Sequence, residues 1–321
     1  MNKKKKFPSI DISDFQKGKR SDFFLPLYED SLGQAVNVPF IVARGLKPGP
    51  CLGISAAVHG NELNGIKIIQ KTLAELDLSN LKGSIICAPV VNIPGFNIGE
   101  RFFSDGVDLN HVFPGSPNGV PAEQYTHAFV KTFLPACNYL VDIHTASEGR
   151  LNTMYVRVDL KDRNARSLAE AVSPEIILHG KGGDGTLRGA AGRKNIPAIT
   201  LEAGNPSVFQ GKMVFEGELG LKNILYLLKM LSGKINQSRK PVVCKSSDWL
   251  RTNSGGVLEI NFNLADKVES KQVLAKTLDP FGNIHSQYSA PYSGIVIGKA
   301  ANPVATPGTR FCHLGKIGEP K

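Results

Sequence analysis

In CLGISAAVHGNELNG, residues 51–65, the period of the sequence changes. Leu52 to Val58 form a run of mostly small apolar residues, with Gly49-Pro50 before it and Gly60 after it. A short apolar run between such breakers is the pattern of a buried strand. Beyond Glu62, apolar residues fall at Leu63, Ile66, Ile69, Leu73 and Leu76, close to helical spacing. The stretch is therefore a strand running into a helix. An imidazole, His59, and a carboxylate, Glu62, stand at the joint.

Working outward, the same alternation continues. Strand-like runs occur at PFIVARG (39–45), SIICAPVVN (84–92), NYLVDIHT (138–145), EIILHG (175–180) and PAITLEAG (197–204). Helix-like runs occur at EQYTHAFVKTFL (123–134), RNARSLAEAV (163–172) and VFEGELGLKNILYLLKML (214–231). Strands alternating with helices predict an α/β fold, with a mixed, mostly parallel sheet covered by helices on both faces. SGKINQSRKPVVCKSS (232–247) breaks the pattern and is expected to be a linker. After it come short β runs between Gly, Pro and Asn, including GGVLEINFN (255–263) and YSGIVIGKA (292–300). These predict a small C-terminal β barrel or sandwich. The expected division is a basic tail and lead-in over 1–24, a catalytic α/β domain over 25–235, and a linker with a β domain over 236–321.

Composition limits the classes of function. The chain has 321 residues, 41% hydrophobic and 21% charged, as in ordinary globular proteins. No apolar run approaches the ~20 residues of a membrane span. MNKKKKFPSIDISDF at the N-terminus lacks the apolar segment of a secretory signal. Five scattered cysteines, at 51, 87, 137, 244 and 312, show no CxxC. That usage predicts reduced thiols and a cytoplasmic protein. Of the net charge of +10, four charges belong to Lys3, Lys4, Lys5 and Lys6. The rest is spread without interleaved aromatics, which argues against nucleic acid and for a modest field that draws an anionic small molecule.

In open α/β sheets, ligands gather at the carboxyl ends of strands. His59 and Glu62 follow one predicted strand, His144 ends another, and Glu202 lies near the end of a third. Two histidines and a glutamate are a known zinc ligand set that leaves a position for water, and a second glutamate nearby is free to take that water's proton. Each group alone has a plainer reading. HxxE recurs by chance, His144 can be a core histidine bonded to a carbonyl, and Glu202 can pair with a lysine. Their shared placement at strand ends favours a zinc hydrolase.

The motifs HGNE (59–62), DGVDLNHVFPG (105–115), VDIHT (141–145) and ITLEAG (199–204), in this order, resemble the succinylglutamate desuccinylase/aspartoacylase family, of zinc carboxypeptidase-like fold. The likeness spans roughly residues 25 to 321. It implies one zinc per chain on His59, Glu62 and His144, with Glu202 as general base and acid. It also implies Asp108 as the carboxylate behind the first zinc histidine and Arg101 as the group that polarises the scissile carbonyl. Asn110 and Arg188 would hold the substrate's carboxylate. One position departs from the family pattern: His111 stands where an arginine normally follows the asparagine. Arginine offers a permanently charged fork, and histidine offers less. The change bears on recognition of an acidic amino acid, with a His111 that points away as the other reading.

The expected reaction is hydrolysis of a small N-acyl amino acid or related amide. A carboxypeptidase acting on short peptides and a catalytically silent zinc or ligand-binding homologue are the rivals. The expected partner is the small substrate, with no nucleic acid and no membrane; self-association into a homo-oligomer is left open. The stretch from Leu264 to Gly298 resembles a biotinyl/lipoyl type of barrel. Its hairpin DPFGNIHSQ (279–287) lacks the lysine of a carrier, which implies a structural domain rimming the site.

Overall fold

The computed structural model describes residues 9–183, 185–237 and 239–320. The lysine tail at 3–6 lies outside the described residues. The first half comprises strands β1 (Lys19–Glu29), β2 (Ala35–Arg44) and β3 (Lys47–Ala56), helix α1 (Asn64–Ala74), β4 (Lys82–Ala88), α2 (Ile93–Ile98), α3 (Pro121–Phe133) and β5 (Tyr139–His144). There follow β6 (Arg150–Asn152), β7 (Tyr155–Val158), α4 (Arg163–Val172), β8 (Ile176–His179), α5 (Leu187–Gly192), β9 (Ala198–Glu202) and α6 (Gly211–Leu227). The remainder is all β: β10 (Val242–Arg251), β11 (Gly256–Ile260), β12 (Lys267–Val268), β13 (Val273–Leu278), β14 (Ile284–Ser289), β15 (Gly294–Ala300), β16 (Val304–Ala305) and β17 (Arg310–Ile317).

One mixed sheet runs through most of the molecule in the order β1-β2-β4-β3-β5-β9-β7-β8-β10-β17-β15-β12, with β6 added beside β15. Its centre, β4-β3-β5-β9, is parallel, and β7 follows it, antiparallel to β9 and parallel to β8. One face is covered by α1, α4 and α6, which close a core of Ile54, Ile68, Ile69, Val141, Leu168 and Leu221. The other face packs α3 and α5 against Phe40, Phe129, Phe133 and Leu140. This is the layered α/β architecture the alternation predicts. A second, antiparallel sheet, β14-β13-β11-β16, lies in the C-terminal region.

Two segments differ from the expectation. The strand β10 begins inside the predicted linker, at Val242, and pairs in parallel with β8 through Val242, Val243 and Cys244. Through β10, β17 and β15 the C-terminal region extends the same sheet that carries His144 and Glu202. The predicted lead-in also contains a strand, because β1 starts at Lys19 and pairs antiparallel with β2 at the sheet edge. Among the described residues no helix is long and apolar enough to cross a membrane.

The joint between β3 and α1 is tightly built. Ala57 has a left-handed φ of 49°, a costly conformation for a residue with a Cβ. Gly60 lies against the backbone of Gly95 and Phe96, where a Cβ would meet atoms at 2.1 and 2.2 Å. The glycine of HGNE is thus required by a close approach of two chains. Glu62 is not the first residue of the helix, as the apolar spacing suggests. It sits in the turn before it, its amide donating to the His59 carbonyl at 3.1 Å.

Candidate active site

The sheet register brings the four candidate groups together. β3 and β5 run parallel with Ala56 opposite Ile143, and β5 and β9 run parallel with His144 opposite Glu202. The carboxyl ends of these three strands therefore deliver His59, His144 and Glu202 to one place. The turn after β3 folds Glu62 back between the two imidazoles.

His59 Nδ1 lies 2.7 Å from Glu62 Oε1, and His144 Nδ1 lies 2.9 Å from Glu62 Oε2. The two Nδ1 atoms are 3.2 Å apart. On the far side of each ring, Nε2 meets a carboxylate: Asp108 Oδ1 at 3.0 Å for His59, and Asp142 Oδ2 at 2.8 Å for His144. A carboxylate accepts from a ring N–H, so a cation held by both Nδ1 atoms would leave the proton of each ring on Nε2, facing Asp108 and Asp142. Two imidazole lone pairs and a carboxylate converging on one point form the donor set of a divalent cation. All three residues are buried, and their ligand atoms lie within 4.8 Å of one another. Among the described residues this is the one cluster of such ligands.

The electrostatics agree. Burial pushes the Glu62 carboxyl upward, but His59 and His144 outweigh it and hold the group well below the usual carboxylate range. Burial likewise works against ionisation of Asp108, yet His59 and Arg101 hold it low. Burial alone would lower His144, and the carboxylates of Asp142 and Glu62 reverse that, holding its positive form well above the ordinary histidine range. Surroundings that retain a proton on a buried imidazole equally favour a metal cation in its place.

The other expected residues are all at this site. Arg101 donates through Nε and Nη2 to Asp108 Oδ2, at 3.0 and 2.8 Å, and through Nη1 to Glu62 Oε1 and Ser147 Oγ, both at 3.1 Å. Asn110 Oδ1 accepts from the Leu187 amide at 3.1 Å, which ties it to the start of α5. The next residue, Arg188, is buried; it donates to Thr200 Oγ1 and to the Gly180 carbonyl, and among the described residues no carboxylate is bonded to it. Burial and the neighbouring Arg157 push its guanidinium down to about 10, which leaves it charged at neutral pH. His111 is solvent-exposed and lines the cavity, so it does not point away from the site. Glu202 pairs with Arg157, whose Nε lies 3.3 Å from Oε1, and not with a lysine.

The cavity has a volume of about 340 Å³, enough for a small amino-acid derivative and small for a folded peptide chain. Sequence reasoning missed several of its residues. Asp142, fully buried, accepts from His144 Nε2 and from Ser55 Oγ at 2.7 Å. Tyr155 and Arg157 come from the inserted β7, with Tyr155 opposite Glu202 in register and its hydroxyl accepting from Arg157 Nη2 at 2.7 Å. Arg150, Trp249 and Arg310 enter from β6, β10 and β17. Asp142 carried a signal, since it stands two residues before His144 in VDIHT. The other residues become neighbours only through strand pairing.

Comparison with known proteins agrees with this geometry. A family model described as the succinylglutamate desuccinylase/aspartoacylase catalytic domain matches residues 48–228. The N-alpha-acetyl-L-2,4-diaminobutyric acid deacetylase of Halomonas elongata is 27% identical over 79% of this chain and 78% of its own. The crystal structure of a succinylglutamate desuccinylase/aspartoacylase from Rhodobacter sphaeroides superposes with a TM-score of 0.87 at 20% identity, covering 97% of this chain and 98% of that one. The product-bound ectoine utilization protein EutE (DoeB) of Ruegeria pomeroyi gives 0.84 at 21% identity, covering 96% and 98%. The match over residues 48–228 takes in every residue that meets at His59, Glu62, His144 and Glu202, and the chain belongs to the succinylglutamate desuccinylase/aspartoacylase family.

Proposed function

We propose that the chain is a zinc-dependent amidohydrolase that deacylates a small N-acyl amino acid or related amide, giving a carboxylate and a free amine. The observation that carries this reading is the convergence of His59 Nδ1, Glu62 and His144 Nδ1, with Glu202 opposite His144 on the next strand. The three would hold one zinc per chain, within a catalytic α/β region over 25–235 that the C-terminal strands rim. Bound there, a zinc ion supplies Lewis acidity to a water and to the scissile carbonyl.

The chain's own residues do the rest. Glu202 takes the proton from the attacking water and returns it to the leaving nitrogen, so the amine departs uncharged. Its contact with Arg157 fixes the carboxylate in direction. Arg101 donates to the oxygen on which negative charge grows as the carbonyl is attacked. With that ion held, Asp108 and Asp142 would accept from Nε2 of the two imidazoles, so that both Nδ1 atoms face the centre. Arg188, Asn110 and His111 receive the amino-acid carboxylate.

The lining also bears on the amino acid. Arg101, Arg150, Arg157, Arg188 and Arg310 line the cavity, and Glu62 and Glu202 are the acids among its described lining residues. The Halomonas relative is named for an acyl diaminobutyrate, whose side chain is an amine. Such an excess of guanidinium groups favours anionic amides over one with a cationic side chain. Amine release from a panel of N-acyl amino acids with acidic, neutral and basic side chains, with and without chelator, tests the reading. Chelator-sensitive release from at least one member is expected, and no release from any member with zinc restored would overturn it.

A further inference from the structure

The short strand β7 presents Tyr155 and Arg157, two residues apart, on the face that lines the cavity. Antiparallel pairing with β9 sets Tyr155 opposite Glu202. The Arg157 guanidinium bridges the two. Its Nε donates to the Tyr155 hydroxyl at 3.1 Å and to Glu202 Oε1 at 3.3 Å, and its Nη2 donates to the same hydroxyl at 2.7 Å. The phenol oxygen thus accepts twice from Arg157, which leaves its own hydrogen free to donate. The acceptor beside it is the Glu202 carboxylate, which acts on the phenol through a side-chain hydrogen bond and through its charge. Burial raises the phenol well above its ordinary range, against the pull of Arg157, so the hydroxyl keeps that hydrogen.

What packs on Tyr155 comes mostly from the C-terminal strands. Its ring belongs to a small buried cluster with Ile176 and Leu178 of β8, Cys244 of β10, and Ile295 and Ile297 of β15. That cluster is separate from the two cores under the helices. The His313 ring of β17 meets Tyr155 edge-on, at 6.2 Å between centroids and 74° between planes. His313 is fixed in turn by stacking on Trp249 of β10, at 4.6 Å and 11°, and by the contact of its Nε2 with Ser247 Oγ at 2.8 Å. Two residues before Tyr155, the Thr153 amide donates to the Ile297 carbonyl at 3.1 Å. Burial, then Arg157, Arg150 and Arg310, push His313 down to about 3, so it stays neutral and brings no charge to compete with Arg157 for Glu202. A ring enclosed in this way is held in one rotamer.

We propose that Tyr155 is a positioning residue for Glu202: its hydroxyl, locked in place by the C-terminal strands, holds the carboxylate and Arg157 in the orientation in which Glu202 takes its proton. The catalytic part rests on the deacylase reading above, which makes Glu202 the base. The hydroxyl–carboxylate contact does not, since it is a property of the folded chain. On this account the C-terminal strands act on the chemistry through Tyr155, besides rimming the cavity.

Amine release from N-acetyl-L-glutamate, with zinc in excess, is compared for wild type, Tyr155→Phe, Glu202→Gln and the double variant. Tyr155→Phe should lower kcat by ~10-fold or more with KM within ~2-fold, because a small misplacement of a reacting group is costly. In the Glu202→Gln background the same change should alter the residual rate by less than ~2-fold, since Tyr155 acts only through that carboxylate. A merely structural loss would lower both rates alike, and that result would overturn the proposal. Ile297→Ala, or the milder Ile297→Val should it not fold, loosens the packing of Tyr155 and should also lower kcat at unchanged KM; an unchanged kcat would show that the C-terminal strands do not hold the ring. Urea denaturation of the same four proteins needs no turnover. A hydroxyl bonded to a carboxylate is held about twice as strongly as one bonded to a neutral amide, so Tyr155→Phe should lower the midpoint more in wild type than in the Glu202→Gln background. Equal midpoint shifts would overturn the contact itself. Absence of turnover in the wild-type protein together with unequal shifts would support the contact while counting against the deacylase reading.

Discussion

Asp142→Asn separates charge from shape behind His144. Asp142 is fully buried, with Oδ2 2.8 Å from His144 Nε2 and Oδ1 2.7 Å from Ser55 Oγ. Asparagine keeps both contacts: its carbonyl accepts from Nε2, and its amide donates to Ser55, whose hydroxyl turns to accept. No buried group loses its partner, so the substitution removes one negative charge and little else. That charge makes the imidazole a stronger ligand, and losing such a supporting carboxylate costs ~10–100-fold in metal affinity, or ~1.4–2.7 kcal/mol. Asp142→Ala differs in kind. It strands two buried partners at ~1–3 kcal/mol each, so it should lower the unfolding midpoint as well. The assay is competition for zinc against a chromophoric chelator, with urea denaturation alongside. If Asp142→Asn binds zinc within ~2-fold of wild type at unchanged stability, Asp142 does not tune His144 and the assignment of that ring's protons is wrong.

Other changes probe the remaining parts. Glu202→Gln should keep its metal and its melting temperature while kcat falls by ~10²-fold or more; activity within a few-fold of wild type would show that another group takes the proton. His111→Arg should lower KM for an N-acyl aspartate or glutamate relative to a neutral N-acyl amino acid, by ~1–2 kcal/mol for a bidentate pair; an unchanged ratio would remove His111 from the substrate contacts. Gly65→Ala places a methyl 2.8 Å from Ala56 Cβ and 3.0 Å from Ile143 Cγ2. Overpacking at ~1–3 kcal/mol outweighs the helix-propensity gain of at most ~1 kcal/mol, so the urea midpoint should fall, and a rise would show that β3 and β5 give way easily.

The parts of this site that were legible in the sequence share one property. His59, His144 and Glu202 each stand at or next to the end of an apolar run, where a change of residue class is visible without knowing the fold. Asp142 lies inside such a run. Central strands of a parallel sheet are buried on both faces, so alternation does not reveal which side a polar residue faces. Tyr155 and Arg157 were missed because β7 has four residues and reverses the strand direction after β9, a place no local pattern encodes. β10 was hidden by linker-like composition, since PVVCKSSDWLR alternates polar and apolar residues without a continuous apolar core. β1 contains Pro26, which weakens a strand signal and is tolerated because β1 lies at the edge of the sheet. The arginines around Trp249 come from β6 and β17, and no spacing along the chain announces their meeting.

The central claim is that His59, Glu62 and His144 hold a zinc ion on which amide hydrolysis depends. Metal analysis of the purified protein, paired with amine release from its best N-acyl amino acid before and after chelation, tests it most directly. The account predicts about one zinc per chain, activity that chelation abolishes and added zinc restores, and loss of both metal and activity in the His59→Ala, His144→Ala double variant. Stoichiometric zinc retained by that variant, or full activity in the metal-free protein, would contradict it.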